Sequence, residues 1–365
     1  MNQEFDCDVL IVGAGPTGMS AALALCDAGY KIIIIDKHEK GLSYSRAILV
    51  NSNTLSLLKP YGVADKIITM GQPCSSMKIS GPDGVIIEGS IDATNLIDVH
   101  PILLPQLITE QCLEEGLKAR NITIDRPATF KWFEQNNNNV ESIIDRYGQQ
   151  FLIRSKYLLG ADGFHSAVRL SLGINYNQSV SPIWMYSMDA EIDWDSHSDA
   201  NIWILNSGAA LAMKIGDNKV RFAATSKQTF MELGISNNIK KITWESEFEV
   251  YFAQVQTYGA GRVWLAGDAA HVHSPVGGRG MNMGIADGIS FVQAVINNDF
   301  IGYQNDRHAI SGDWVRKNRL FTELMCDRSI KGKLGRTFVR SAFKVISILF
   351  GKNGANKVFR AIAVG

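Results

Sequence analysis

Between two short apolar runs, DVLIV at residues 8–12 and KIIIID at residues 31–36, the chain carries GAGPTG. Both runs are rich in β-branched residues and suit strands buried on both faces. Residues 16–28 have the spacing of small and apolar side chains expected of a helix, closed by Gly29. The segment therefore predicts strand, turn, helix, strand: a βαβ unit. Gly13, Gly15 and Gly18 spell G-x-G-x-x-G, with Ala14, Pro16 and Thr17 between them. Gly13 permits the tight turn, Gly15 lets backbone approach a pyrophosphate, and Gly18 lets the helix pack on the strand. The helix start offers free N–H groups and a positive dipole end to phosphates. Asp36, beside Lys37, ends the second run 18 residues past Gly18, where a carboxylate can accept from a ribose diol. The motif implies a dinucleotide and does not separate NAD from FAD.

Charge narrows the partners. The 365 residues hold 36 basic and 36 acidic side chains, so net charge gives no argument for a nucleic-acid partner. The balance is uneven: residues 328–365 carry nine Lys/Arg and no Asp/Glu. The preceding body carries the opposite excess, −9. The apolar fraction, 46%, is too high for disorder, and the length suits about two domains. Cys7, Cys26, Cys74, Cys112 and Cys326 are scattered with no C-x-x-C, so neither a disulfide framework nor a zinc site is expected. With an acidic N-terminus and no apolar stretch near the ~20 residues of a membrane span, a cytoplasmic chain is expected.

Further along, residues 52–70 and 105–119 read as amphipathic helices, and residues 122–159 as strands around the polar tip NNNN at 136–139. Residues 182–225, rich in Trp, Tyr and Met, have the texture of an antiparallel sheet. RVWLAGD at 262–268 returns to a buried strand, and residues 284–326 read mainly as helix.

Two more motifs follow apolar runs: ADGFHSAVR at 161–169 and GDAAHVHSPVGGRGMNMGIADG at 267–288. With the first motif, and in the same order, they resemble the single-component FAD-dependent aromatic hydroxylases related to para-hydroxybenzoate and phenol hydroxylase. The resemblance runs from about residue 6 to about residue 326. It implies an α/β fold: a Rossmann-type FAD-binding domain interleaved with an antiparallel β-sheet substrate domain, plus a C-terminal helical tail. The expected division gives the FAD-binding domain residues 1–75, 101–175 and 262–327. Residues 76–100 and 176–261 would form the substrate domain, and 328–365 the basic tail.

The resemblance also implies roles. Gly13 to Gly18, with Asp36 and Lys37, would hold the AMP half of FAD. Arg46, in SRA, matches an arginine aimed near the pyrophosphate, and Gln106 matches a glutamine that reaches the cofactor. Asp162 belongs to the motif serving both FAD and the nicotinamide donor. Asp268 matches the aspartate bonded to the ribityl chain. Gly280, Met281 and Asn282 match the helix start beneath the flavin ring, whose negative charge on reduction would suit free backbone N–H groups. Pro275 would sit at the ring face and is the best candidate for a residue at the reaction centre. No catalytic triad is expected, because the cofactor carries the hard chemistry.

The implied reaction is hydroxylation of a small aromatic, phenolic or polyketide-like substrate by O₂, with NAD(P)H as co-substrate, through a flavin C4a-hydroperoxide. Competing readings are a halogenase, whose WxWxIP signature is missing, a prenyl-chain reductase, or a flavin-binding protein without turnover. The expectation is that the thioredoxin-like domain of phenol-hydroxylase relatives is absent. Arg279 stands where many relatives carry glutamine or lysine. No second G-x-G-x-x-G marks a nicotinamide domain, so NADH and NADPH are not separated.

His271 and His273, two apart with no cysteine or carboxylate pair nearby, read as packing or hydrogen-bonding residues rather than metal ligands. His165 reads as an exposed turn residue. In the strand-like region Trp203, Met213 and Arg221 are the candidate substrate contacts, Arg221 as an anchor for an acidic group; plain core, or for Arg221 a solvated strand position, is the alternative. In residues 335–350, Phe338, Ala342, Val345, Ile346 and Leu349 share one helical face and Arg336, Arg340 and Lys344 another. Two readings stay open: peripheral contact with an anionic membrane, or an apolar stripe packed on the acidic body.

Overall fold

The chain is described by a computed structural model over residues 5–41, 47–91, 100–178, 183–194 and 196–363, with side chains of the last helix considered up to Phe359. Its fold is the expected α/β architecture with a second sheet and C-terminal helices.

The motif strands are neighbours in one sheet. Strand Cys7–Val12 pairs in parallel with Ile32–Ile35 on one side and with Gln149–Gly160 on the other. Gln149–Gly160 then pairs in parallel with Val263–Leu265. The register aligns Val12 with both Ile35 and Gly160, and Gly160 with Leu265. All the motif loops thus leave the same carboxyl edge, where open parallel sheets bind ligands. The central strands are buried almost without exception, so Val9, Leu10, Ile11, Leu158 and Leu159 form the core with helix Pro16–Asp27. Helix Gly280–Asn297 packs on that helix at glycines. A Cβ at Gly284 would lie 2.3 Å from Thr17 Oγ1, and one at Gly288 would lie 2.6 Å from Thr17 O.

The second sheet runs in the order Ile239–Val250, Ile183–Ile192, Lys219–Ala224, Ala209–Gly216, Ala200–Ile204, Ser76–Gly81, Gly84–Ser90. It is antiparallel except where Ala200–Ile204 meets Ser76–Gly81, which arrives from an early part of the chain and pairs in parallel. NNNN closes a hairpin between Thr129–Gln135 and Val140–Arg146, tied by Asn136 Oδ1 accepting from the N–H groups of Asn138 and Asn139.

One predicted helix is broken. Residues 52–70 form Ser52–Leu58 and Ala64–Met70, separated by a 3₁₀ turn, Lys59–Tyr61. Pro60 cannot donate a helical hydrogen bond, and Gly62 turns left-handed at φ 73°.

The tail corrects a second reading. Helix Ile330–Ala363 breaks at Gly351 (φ 52°, ψ −142°). Beyond the break, Ala355 and Phe359 pack over Gly89 of the sheet's edge strand, and Asn356 Oδ1 accepts from Ser90 N. Before it, the basic residues Arg336 and Arg340 face the body. Of the apolar stripe, Phe338, Val345 and Leu349 point to solvent, and only Ile346 packs inward. The stripe therefore does not clasp the body. Main-chain carbonyls at Leu205, Asn206 and Leu324 offer hydrogen bonds that arginine satisfies and an apolar side chain cannot.

Candidate functional site

A groove of about 520 Å³ opens at the carboxyl edge of the parallel sheet. Gly13, Ala14, Gly15, Pro16, Thr17, Asp36, Lys37, Gln106, Asp162, Asp268, Gly280 and Met281 line it, so residues from six separate segments converge. Gly13 adopts φ 105°, and a Cβ there would lie 2.3 Å from the Ala161 carbonyl oxygen. A Cβ at Gly18 would lie 1.9 Å from Gly13 O, so Gly18 sits beneath the loop rather than in the groove. At Gly15 a Cβ would meet nothing within 4 Å. That open approach is the place a pyrophosphate needs. Helix Pro16–Asp27 has no side-chain cap, which leaves its first N–H groups to a ligand.

The carboxylates divide by task. Asp36 Oδ2 accepts from Ala14 N at 2.8 Å and Oδ1 from His38 N at 2.9 Å, so this acid braces the glycine loop while bordering the groove. Asp162 Oδ2 accepts from Ala167 N (2.7 Å) and Val168 N (3.2 Å), whereas its buried Oδ1 has no partner. Burial pushes the Asp162 carboxyl above its ordinary range, against those hydrogen bonds. Asp268 is exposed in the groove, carried by the turn Gly267–Ala269. Gln106 Nε2 donates to Glu110 Oε1 at 2.8 Å. The open Gly15 cradle, the orphaned Asp162 oxygen and the exposed Asp268 carboxylate fit a bound dinucleotide.

Arg46 lies outside the described residues. Asn282 does not line the groove. Its amide donates to Leu49 O (2.8 Å) and Gly278 O (2.7 Å), and its carbonyl accepts from Asn51 N, fastening the helix start to the neighbouring strand.

Beside the groove lies an apolar cavity of about 500 Å³. The loop 275–279 forms one wall, the second sheet another, and helix Phe300–Cys326 a third. Pro275 and Met213 line it, with Met77, Met185 and Met325. Along one continuous stretch, Pro275 to Arg279 thus line the cavity and Gly280 and Met281 line the groove. Trp203 is corrected: Ile202 and Ile204 face the cavity, so strand alternation sends Trp203 to the opposite side, edge-on to Trp194 at 6.4 Å. Arg221 is corrected too. It is buried, neither solvated nor lining the cavity, and grips Asp189 through Nε–Oδ1 (2.5 Å) and Nη2–Oδ2 (2.6 Å). Strands Lys219–Ala224 and Ile183–Ile192 hold the pair directly opposite.

At the partition, Arg279 lies over the Trp314 ring at 4.0 Å, and burial lowers its pKa. His273 Nδ1 is 2.8 Å from Ser274 O, so it donates and leaves Nε2 as a buried acceptor without a partner. Burial brings the His273 pKa down to about 4, which keeps the ring neutral near pH 7. His271 pairs with buried Asp287 at 2.6 Å, and His165 is exposed.

Two groove or support residues, Arg126 and Asp287, were not singled out from the sequence. Arg126 lines the groove and pairs with Glu114 at 3.1 Å. As a lone arginine before a proline it carries no spacing signal. Asp287 lies behind the Asp268 turn, and its signal was present: an acid between Gly284 and Gly288 on an otherwise apolar helix.

Comparison with known proteins agrees with this geometry. A family described as FAD binding domain matches residues 6–229 and 218–297. The chain is 26% identical over 347 residues to a Bacillus subtilis (strain 168) protein named uncharacterized aromatic compound monooxygenase YhjG, covering 87% of this chain and 68% of that one. It is 29% identical to the 6-methylpretetramide 4-monooxygenase of Streptomyces rimosus over 76% of this chain and 54% of the relative. It thus spans between half and two-thirds of the length of several curated relatives. In fold it is similar to p-nitrophenol 4-monooxygenase PnpA from Pseudomonas putida DLL-E4, with TM-score 0.86, 19% identity, and coverage of 100% of this chain and 99% of that one.

Proposed function

Because the chain belongs to the FAD binding domain family, we propose that it is an FAD-dependent monooxygenase that hydroxylates a small aromatic, phenolic or polyketide-like substrate. The names of its relatives, an aromatic compound monooxygenase and a 6-methylpretetramide 4-monooxygenase, support the class. The observation that carries the reading is the shared partition: in one continuous stretch, residues 275–279 line the apolar cavity and Gly280 and Met281 line the groove. Such a wall lets a ring system held in the groove meet a substrate held in the cavity.

In this reading Gly13 to Thr17 and the helix start hold the pyrophosphate. Asp36 with Lys37 serves the adenosine ribose, and Asp268 the ribityl chain. Gln106 and Asp162 border the cofactor, and Gly280 and Met281 offer backbone N–H groups to the flavin ring, with Asn282 bracing them. Arg46 is retained as a pyrophosphate contact from the resemblance. Pro275 and Met213 pack against the substrate and exclude water, so the cofactor's reaction proceeds in a dry site. FAD, when bound, supplies acceptance of a hydride from NAD(P)H and activation of O₂. The balance is one aromatic C–H, NAD(P)H, a proton and O₂ giving a phenol, NAD(P)⁺ and water.

The test is a screen of phenols and polycyclic aromatics by NAD(P)H consumption in the FAD-loaded protein. Substrate-stimulated consumption, with a product heavier by one oxygen atom, supports the proposal. A flavoprotein that neither nicotinamide reduces, with or without aromatic ligands, overturns it.

A further inference from the structure

We propose that residues 330–350 dock the protein on an anionic phospholipid surface. Two sets of contacts fix which face of this helix turns outward. Arg336, 1% exposed, donates to five main-chain carbonyls, those of Leu205, Asn206, Leu324, Met325 and Asp327. Arg340 donates to Ile204 O and Asn206 Oδ1. Between them Val339, Phe343 and Ile346 pack on the cluster containing Met77, Ile79 and Ile86. The helix cannot turn about its axis without giving up these bonds.

What faces away is apolar. Ile330, Leu334, Phe338, Val345, Ile348 and Leu349 are between 51% and 80% exposed. Their spacing of four, four, seven, three and one keeps them on one side of the helix, a ridge about 30 Å long at 1.5 Å per residue. Leu320, one turn before the Leu324 that packs at Gly335, is exposed as well. Apolar ridges of this extent mark interaction surfaces.

Charge selects the occupant. Lys331 and Lys333 are exposed on the same helix, Lys344 lies 3.7 Å from the Asp83 carboxylate, and residues 328–365 contain no acidic side chain. A second copy docked ridge to ridge would bring these cations together with no acid from either tail to offset them. An anionic headgroup layer offsets them while its acyl boundary takes the ridge. Among the described residues no helix is long and apolar enough to cross a membrane, so the contact is interfacial.

The test uses the full chain with phosphatidylcholine vesicles, alone or with one-third phosphatidylglycerol, and light scattering without lipid. Expected is binding to the anionic vesicles about tenfold or more tighter than to neutral ones, falling as salt rises. The exposed substitutions Phe338→Asp and Ile348→Asp together abolish it with melting temperature retained, and Lys331→Glu with Lys333→Glu removes the salt-sensitive part. No vesicle binding, or equal binding to both compositions, overturns the proposal. So does a lipid-free dimer that Phe338→Asp with Ile348→Asp dissociates while vesicles bind nothing, since the ridge is then an interface between copies.

Discussion

Asp287, wholly buried in helix Gly280–Asn297, accepts the main-chain N–H of Gly267 at 2.9 Å and so braces the turn that presents Asp268 to the groove. Its other oxygen accepts from Arg307 Nε at 2.6 Å, and His271 Nε2 lies 2.6 Å from the first. Burial alone would raise this carboxyl, but His271, Arg307 and the Gly267 N–H hold it below its ordinary range. Asp287→Ala leaves the Arg307 guanidinium buried without its carboxylate. It is expected to cost about 3–5 kcal/mol in chemical denaturation. Because the folded pKa is depressed, the carboxylate's contribution is present above the unfolded value and lost as pH falls through the folded one. The gap between wild type and variant should therefore persist down to about pH 4 and close only below it.

The glycine loop separates fold from binding. Gly13→Ala puts a Cβ 2.3 Å from the Ala161 carbonyl oxygen at φ 105°, and denaturation should register a loss of about 3 kcal/mol or more. Gly15→Ala meets no atom within 4 Å, so the melting temperature of the apoprotein should hold. Its added methyl enters the pyrophosphate approach, and FAD affinity should fall about tenfold or more by fluorescence titration. Equal thermal damage at both positions would remove the distinction.

Much of the site was legible because its residues act close to their own strand ends. Gly13, Gly15, Asp36, Asp162 and Asp268 each follow an apolar run, and parallel pairing brings those ends together. Trp203 and Arg221 were not legible. Alternation along a strand separates two faces without saying which one meets the cavity. The tail failed for a related reason. A helical wheel divides Arg336 from Phe338, but the carbonyls that bind Arg336 come from Leu205, Asn206 and residues 324–327, joined only by the fold. Charge at Arg336 marks the inside of that helix.

The Arg221–Asp189 pair makes a further expectation. Removing either partner strands a buried charge, so Arg221→Ala and Asp189→Ala should each destabilise by about 3 kcal/mol. The double variant should lose less than the sum, with a coupling of about 0.5–3 kcal/mol in a double-mutant cycle. Preference between neutral and acidic aromatics should not change. A loss confined to acidic ligands, with stability intact, would restore Arg221 as a substrate anchor.

His273 gives a pH signature. Its pKa falls from 6.5 to about 4 in the folded chain, so the unfolded chain takes up a proton first as pH drops. Stability should be full above about pH 6.5, decline toward pH 4 and level off below. In apoprotein melts, His273→Phe should flatten that decline relative to wild type. Parallel curves for the two proteins would contradict the burial argument.

The most direct test of the central claim is turnover of the FAD-loaded protein with NAD(P)H, an accepted aromatic substrate and isotopically labelled dioxygen, read by product mass. One heavy oxygen atom in each product molecule, with one NAD(P)H consumed per hydroxylation, is the predicted result. A product whose new oxygen comes from water, or one that gains hydrogen rather than oxygen, would contradict it.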